Sequence, residues 1–452
     1  MEALTFDDIA AMCGGKRPAL GGGTTVRRIS KDTRSLAPGD LYLALKGENF
    51  DGNRFVAEAF QKGAAGAILD DPDRAAEVPD EFPLILVEDV FGALHQLASS
   101  WRDRLSATVV CITGSNGKTS TKDFTAAVLG VRYRTTKTLG NLNNSIGLPL
   151  SMLSTSVADQ AAVWEIGMNH AGEIAPLAAL ARPSISIVTN IGVAHIENLG
   201  SRENIAREKG ALLAALPPNG TAIFPEEDDF ADRLGALAPE NIVRTGGANS
   251  AVRAEAISVG MEETHFTLLV SGEKYSARLP VPGAHMVANA LLAVAAGIAC
   301  GLSPEECAEG LAESIAPSGR LARRSIRGVH FLDDTYNANP DSMVAALSVL
   351  AELSVTGRKI AVLGRMGELG EYAEEGYRRV GAAVPAAADV LVATGPETTS
   401  LAEAAASGKT RVTTVSDAPA ACAFLRSIAA PGDLVLVKGS RTAHMETIIE
   451  NF

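Results

Sequence analysis

The stretch CITGSNGKTSTKDF, Cys111 to Phe124, decides the fold. The apolar run ATVVCIT that leads into it from Ala107 has the length and composition of a buried strand, GSNG is a turn, and KTSTKDF opens a helix. Gly114 and Gly117 let the backbone turn tightly with its N–H groups inward, and the N-terminus of the helix completes an anion site. In such a loop Gly114, Ser115, Asn116, Gly117, Lys118, Thr119 and Ser120 would surround the phosphates of a nucleoside triphosphate, with Lys118 on the outer phosphates and the Thr119 hydroxyl on Mg²⁺. Ile112 stands where the long form of the motif has its first glycine, so the loop is a shortened variant. The plain alternative is a surface turn that contains GKT; the strand before it and the helix after it weigh against that. A guanine-reading Asn-Lys-x-Asp is absent, which argues against a GTPase and leaves kinase or motor ATPase open on the loop alone.

Working outward, strand and helix patterns alternate. VWEIGMN, ISIVTNIG and GTAIFP follow as strands, with GEIAPLAALA and ENIAREKGALLAAL between them as helices, which implies a mostly parallel sheet covered on both faces. A β-rich insertion is expected from Ala251 to Val281, then the helical HMVANALLAVAAGIACG and SPEECAEGLAES. APSGRLARRS, residues 316–325, reads as a linker, and a second βα series follows in GVHFLDDT, KIAVLG, DVLVATG, RVTTV and DLVLVKG. Upstream, DLYLALKG, GAILD and LILVEDV are short strands of a first unit. The expectation is an α/β protein of three domains: a small N-terminal α/β domain (residues 1–106), a central P-loop-type ATPase domain with a mainly parallel sheet (107–317) and a C-terminal Rossmann-like domain (318–452).

Composition narrows the function class. A formal net charge of −13 makes the chain a poor ligand for a nucleic-acid backbone, so no nucleic-acid partner is expected. The five cysteines are scattered without a CxxC pair, which points to a reducing compartment. The N-terminus lacks a basic, apolar leader pattern, and the longest apolar stretch is too short to span a bilayer. A cytoplasmic protein with no membrane partner is expected.

Mg²⁺ beside phosphates calls for hard oxygen ligands. Glu165 ends the strand VWEIG and His195 follows ISIVTNIG, both at the carboxyl edge of the sheet where open α/β folds bind ligands; Lys209 lies on the next helix. Read singly, each has a plainer alternative: a solvent-facing carboxylate, a loop histidine, a solvated helix charge.

Together with GSNGKTST, the stretches GNLNNSIGLPLSML, EIGMNHAGEI, TNIGVAHIENLGS, DDTYNANPDSM and VLVKGSRTAHME, preceded by DTRSLAPGDLYLAL, resemble the Mur ligases in order and across nearly the whole chain. Within that family YNANP is similar to the branch that adds D-alanyl-D-alanine. The resemblance implies an ATP- and Mg²⁺-dependent, amide-forming ligase acting on UDP-N-acetylmuramoyl-tripeptide and D-alanyl-D-alanine, and a monomer is expected. It implies catalytic roles for Lys118, His195 and Lys209. Thr119, Glu165, His195 and Lys209 would serve the metal, with Lys209 carbamylated. Asn289, Arg320 and Asp334 would contact nucleotide. Thr33, Arg34, Ser35, Asn143, Asn144, Asn337 and Asn339 would bind substrates.

The residues themselves fit these roles and also plainer ones. Asn337 and Asn339 suit a dipeptide's amide and carboxylate, and equally a turn before Pro340. Arg34 suits a phosphate, or solvent. The chain departs from the family at Asn53, Leu142, Met286 and Arg365, where a histidine, an aromatic, an asparagine and an aspartate are usual. Two other readings compete: a ligase of the folylpolyglutamate synthase kind, against which DTRSLAPGDLYLAL counts, and a regulatory ATP-binding protein without catalysis, against which Lys118, Glu165, His195 and Lys209 count.

Overall fold

A computed structural model describes residues 2–16, 20–47, 49–315 and 319–452. The chain is mixed α/β and forms two compact units: Met1–Val109 with Tyr133–Ile166 and Pro176–Arg182, and Val110–Arg132 with Gly167–Ala175 and Pro183–Phe452.

In the first unit, Ile29–Ser30, Leu41–Leu43, Gly66–Leu69 and Leu84–Leu86 form a four-stranded parallel sheet in that order. Leu41–Leu43 and Gly66–Leu69 are buried throughout, as continuous apolar runs in a covered parallel sheet must be. Tyr42, Val56, Ala59, Leu69 and Phe82 pack as one core. The helix Val90–Arg102 starts where Asp89 accepts the N–H groups of Phe91 and Gly92, and it buries Val90, Ala93, Leu94, Leu97 and Trp101 along one face. Trp101 Nε1 donates to Thr155 O at 3.0 Å, tying that face to the helix Gly147–Ser154. Thr135–Lys137 and Ala161–Glu165 pair in parallel in the same unit.

The second unit continues the strand Thr108–Thr113, which pairs in parallel with Ile185–Val188; Thr221–Pro225 and Asn241–Thr245 extend the parallel set. The expected β-rich insertion is the antiparallel meander Val252–Val259, Thr264–Val270 and Glu273–Leu279. The helices Lys118–Gly130, Arg202–Ala214, Ala284–Ala299 and Pro304–Ala312 belong to this part. Among the described residues no helix is long and apolar enough to cross a membrane.

The same unit holds the second βα series. Its sheet runs Ala322–Ile326, Val329–Asp334, Leu434–Lys438, Lys359–Leu363, Val390–Thr394, Arg411–Val415, with all but the first strand parallel. The five strands expected there are present. Ala322–Ile326 corrects the linker reading, whose opening residues 316–318 lie outside the described residues. Arg327 and Gly328, at φ 52° and 80°, make a two-residue hairpin turn, so this segment pairs antiparallel with Val329–Asp334. Its arginines made it look like a loop. On a sheet edge they block further pairing, and Arg323 Nη1 lies 2.6 Å from Glu262 Oε1 of the meander.

Candidate functional site

The phosphate loop forms as its glycines dictate. The strand ends at Thr113, the helix begins at Lys118, and Gly114 and Gly117 take φ values of 150° and 79°. A side chain on Gly114 would overlap Thr189, and one on Gly117 would overlap the Asn289 amide. The segment Thr189–Gly192 splints the loop: Asn190 O and Oδ1 accept the N–H groups of Ser115 and Asn116, each at 3.0 Å. Asn190 Nδ2 and Thr189 Oγ1 donate to Asn116 O at 3.1 and 2.5 Å, and Gly192 N donates to Ser115 Oγ at 2.9 Å. Asn190 thus engages the N–H groups of Ser115 and Asn116, just ahead of the helix that begins at Lys118. Lys118 Nζ bends back onto Gly114 O at 2.7 Å. Ser120 is buried in that turn.

Residues from the C-terminal sheet meet this loop. Arg320 Nη2 donates to Thr119 Oγ1 at 2.9 Å while its guanidinium lies 4.5 Å from the centre of the Tyr336 ring. Asp334 sits behind it, accepting Leu321 N at 3.2 Å and the buried Lys438 Nζ at 2.5 Å. Asn339 Nδ2 donates to Asn116 Oδ1 at 2.8 Å and its Oδ1 caps the helix Pro340–Glu352 through Ser342 N at 2.9 Å. Both ends of that amide are therefore engaged within the protein. Asn337 is exposed; its carbonyl accepts Lys438 Nζ at 2.9 Å.

His195 caps a short helix at φ 63°, and its Nδ1 lies 2.6 Å from Glu368 Oε2, off the line of a well-formed hydrogen bond. The imidazole holds the Glu368 carboxyl below the usual range, burial opposes this, and Lys118 adds a weaker pull. Lys209, on Arg202–Ala214, is fully buried. Burial first, and then the charge of Lys118, push its amine well below the ordinary lysine value, against a weaker pull from Glu208. Glu208 itself accepts the N–H groups of Gly172 and Ile174, both at 2.8 Å. Asn289, on Ala284–Ala299, packs against Gly117, with Nδ2 3.8 Å from the Met286 sulfur. His285, one helical turn earlier, is half-buried, and loss of solvation lowers it to about 4.

The remaining expected residues lie in the first unit. Glu165 is the last residue of its strand and is buried; its N–H donates to Thr138 Oγ1 at 3.0 Å and its Oε1 accepts Asn143 Nδ2 at 2.8 Å. Asn144 Oδ1 accepts Gly147 N at 2.8 Å at the start of Gly147–Ser154. Thr33 is buried and its carbonyl accepts Lys62 Nζ; Ser35 N donates to Asp32 O. Arg34 is exposed, with Nη2 2.6 Å from Asp32 Oδ2. Asn53, in place of the usual histidine, is a buried strut: Nδ2 donates to Asp51 Oδ1 and Asp70 Oδ1 at 2.9 and 2.8 Å, and Oδ1 accepts Asp70 N at 3.2 Å.

The second unit thus brings Ser115, Asn116, Gly117, Lys118, Thr119, Asn289, Arg320 and Asn339 together. Sequence reasoning missed Asn190, Tyr336, Asp341 and Glu368. Asn190 lies two residues past the strand Ile185–Val188 on the ligand edge, a usable signal; the left-handed backbone of Glu368, at φ 59°, has none.

Comparison with known proteins agrees in order along the chain. Models described as Mur ligase family, catalytic domain, as Mur ligase middle domain and as Mur ligase, glutamate ligase domain match residues 25–102, 112–297 and 319–441. The UDP-N-acetylmuramoyl-tripeptide--D-alanyl-D-alanine ligase of Bacillus subtilis (strain 168) is 36% identical over 432 residues, covering 95% of this chain and 93% of the relative. That of Escherichia coli (strain K12) is 37% identical, covering 99% and 98%. Among solved structures, MurF from Acinetobacter baumannii superposes with a TM-score of 0.89 at 33% identity, covering 100% and 99%. MurF ligase from Thermotoga maritima in complex with ADP gives 0.82 at 27%, covering 94% and 96%.

Proposed function

The chain belongs to the Mur ligase family of ATP-dependent, amide-bond-forming enzymes, and from that premise we propose how its residues work. It adds D-alanyl-D-alanine to UDP-N-acetylmuramoyl-tripeptide, giving UDP-N-acetylmuramoyl-pentapeptide, ADP and phosphate in peptidoglycan precursor synthesis. The observation that carries the mechanism is the direct contact of Arg320 and Asn339 with Thr119 and Asn116, which sets the sheet carrying YNANP on the rim of the phosphate loop.

A carboxylate is a poor acyl donor, because oxide would have to leave. Attack of the tripeptide carboxylate on the γ-phosphorus expels ADP and makes an acyl phosphate. The dipeptide amine then attacks its carbonyl carbon, and phosphate leaves with the C–O electron pair. Phosphoryl transfer needs positioning and charge neutralisation. Lys118, the first turn of its helix and Arg320 supply both. Stacking on Tyr336 holds the Arg320 guanidinium flat and aimed.

The residues present fit Mg²⁺ bound jointly with phosphate oxygens, because the Thr119 hydroxyl, a hard oxygen donor, stands in the first turn of the helix that follows the phosphate loop. Thr119, Glu165, His195 and Lys209 are the residues we assign to hold it. Bound there, Mg²⁺ neutralises charge on the transferring phosphoryl group. The depressed Lys209 value supports the carbamate role, because the neutral amine is the form that combines with CO₂, releasing a proton.

Arg34, exposed and flanked by Thr33 and Ser35, is the residue we assign to the UDP end, and Asn143 and Asn144 to the sugar-peptide end. Asn337 is the dipeptide contact we favour. Asn339 acts as a helix cap and a strut to Asn116. Asn289 and Asp334 act on nucleotide indirectly, by backing Gly117 and by fixing the Arg320–Leu321 backbone. The domain reading of residues 1–106, 107–317 and 318–452 accords with the three family matches, and we assign the enzyme to the cytoplasm as a monomer.

Phosphate release from ATP tests the reading. UDP-N-acetylmuramoyl-tripeptide and D-alanyl-D-alanine are added separately and then together, with and without a chelator. Release and a pentapeptide mass with both substrates and free Mg²⁺ alone is the expected result. No pentapeptide with both would overturn it and direct the search to folate-type acceptors.

A further inference from the structure

Asp341 has no place in the phosphoryl chemistry, yet it joins three segments of the second unit. It is the second residue of the helix Pro340–Glu352. Its Oδ2 accepts Val193 N at 3.0 Å, and its Oδ1 accepts Arg379 Nη1 at 2.7 Å from the neighbouring helix Ala373–Ala383. Gly192 makes the approach possible, since a Cβ there would overlap the Asp341 carboxylate. Gly192 and Val193 belong to the same segment whose Asn190 grips Ser115 and Asn116. Two residues before Asp341, Asn339 holds Asn116 from the other side. One helical turn therefore clasps both walls of the phosphate loop, and Arg379 fixes the orientation of the clasping carboxylate.

We propose that Asp341 is a positioning residue: through Val193 N–H, with Arg379 orienting its carboxylate, it latches the C-terminal sheet onto the 189–195 segment, so that the dipeptide amine reaches the acyl phosphate before water does. The inference rests on the ligase reading above. A ligand-driven closure needs contacts that join the parts it brings together: the bond from Val193 N–H to Asp341 joins the helix Pro340–Glu352 to the 189–195 segment, while Arg379 on the neighbouring helix orients the carboxylate. With the latch lost, water takes the amine's place. Its oxygen adds to the acyl carbonyl carbon, the C–O bond to phosphate breaks, phosphate leaves with the electron pair, and the tripeptide carboxylate is regenerated with release of a proton. The net reaction is then hydrolysis of ATP.

The test is the ratio of phosphate released to pentapeptide formed, with both substrates and Mg-ATP. In the wild type the ratio is one. Asp341→Ala is expected to raise it at least threefold and to slow pentapeptide formation about tenfold, with KM for ATP changed less than threefold. Asp341→Asn keeps an acceptor for Val193 N–H but loses the charge pairing, so it falls between the two. A destabilised protein loses both products in proportion and leaves the ratio at one, which separates positioning from stability. If Asp341→Ala does not fold, Asp341→Asn and Arg379→Ala carry the test, both with ratios above one. Ratios of one in every folded variant overturn the latch while leaving the ligase reading intact. A wild type that makes no pentapeptide overturns both.

Discussion

Replacing Gly117 by alanine puts a number on the strain the phosphate loop demands. At φ 79° an L-residue meets a backbone cost of about 1–2 kcal/mol. The new Cβ would also come within 2.9 Å of Asn289 Cγ and 3.0 Å of its Nδ2. Asn289 is buried on a packed helix and can yield only by leaving its rotamer, at about 0.5–1.5 kcal/mol. Together these come to roughly 1.5–3.5 kcal/mol. The strain must emerge somewhere. If the loop keeps its shape, the folded state carries the strain and the melting temperature falls. If the loop relaxes, nucleotide has to restore its shape, and affinity for ADP drops roughly 10- to 300-fold at about 1.4 kcal/mol per tenfold. Calorimetric titration with ADP and scanning calorimetry on the same preparation measure both parts. A combined loss below about 0.5 kcal/mol would refute the reasoning, because the loop would then have a low-energy left-handed alternative that Asn289 does not oppose.

Lys209→Met tests the buried amine. A lysine whose folded value lies below its unfolded one destabilises the fold at every pH under about 10, because the unfolded chain binds the proton more readily. Removing the amine should therefore raise the melting temperature, or leave it unchanged, while abolishing pentapeptide formation; a fall of several degrees would show that Lys209 is held by favourable contacts instead. Asp433→Asn tests the base of the C-terminal sheet. Burial raises this carboxyl, but Arg358, through its side chain and its N–H at 2.8 Å, together with Ala430 N at 3.0 Å, more than offsets that and holds it low. Its stabilisation is present above the unfolded value, about 4, and is lost as pH falls through the lower folded value. At pH 7 the variant should lose about 1–2 kcal/mol to denaturant, since Arg358 is half-exposed and stays solvated when its partner loses charge, and the gap to wild type should narrow below about pH 4; a gap that widens in acid would refute the assignment.

Most of the parallel strands were legible as short apolar runs closed by glycine or a polar turn, and Gly114, Gly117 and Lys118 announced the loop; Thr135–Lys137 and Asn241–Thr245, mixed in polarity, and the two-residue Ile29–Ser30 carried no such signal. Lys209 was legible as a position but not as an environment: RENIAREKGALLA reads as a solvated helix, and only tertiary packing buries that amine. Ala322–Ile326 was misread because two arginines mask an edge strand whose partner appears only after the turn at Arg327 and Gly328. Asn339 suits dipeptide binding by composition; the turn before Pro340 and the approach of Asn116 decide its partners. The clasp of Asp341 on Val193 joins residues far apart in sequence through a backbone N–H, which leaves no mark on residue type.

The strand order of the C-terminal sheet bears on how the enzyme is made. Leu434–Lys438 lies between Val329–Asp334 and Lys359–Leu363, yet the ribosome adds it after both. At about 5–20 residues per second, the earlier strands wait several seconds with the middle of their sheet missing and two inward edges open. Lys438, which steadies Asp334 behind Arg320, arrives with that same strand. A nascent chain therefore lacks the support for Arg320 until the central strand arrives, and a nonsense mutation before residue 434 removes both that strand and Lys438.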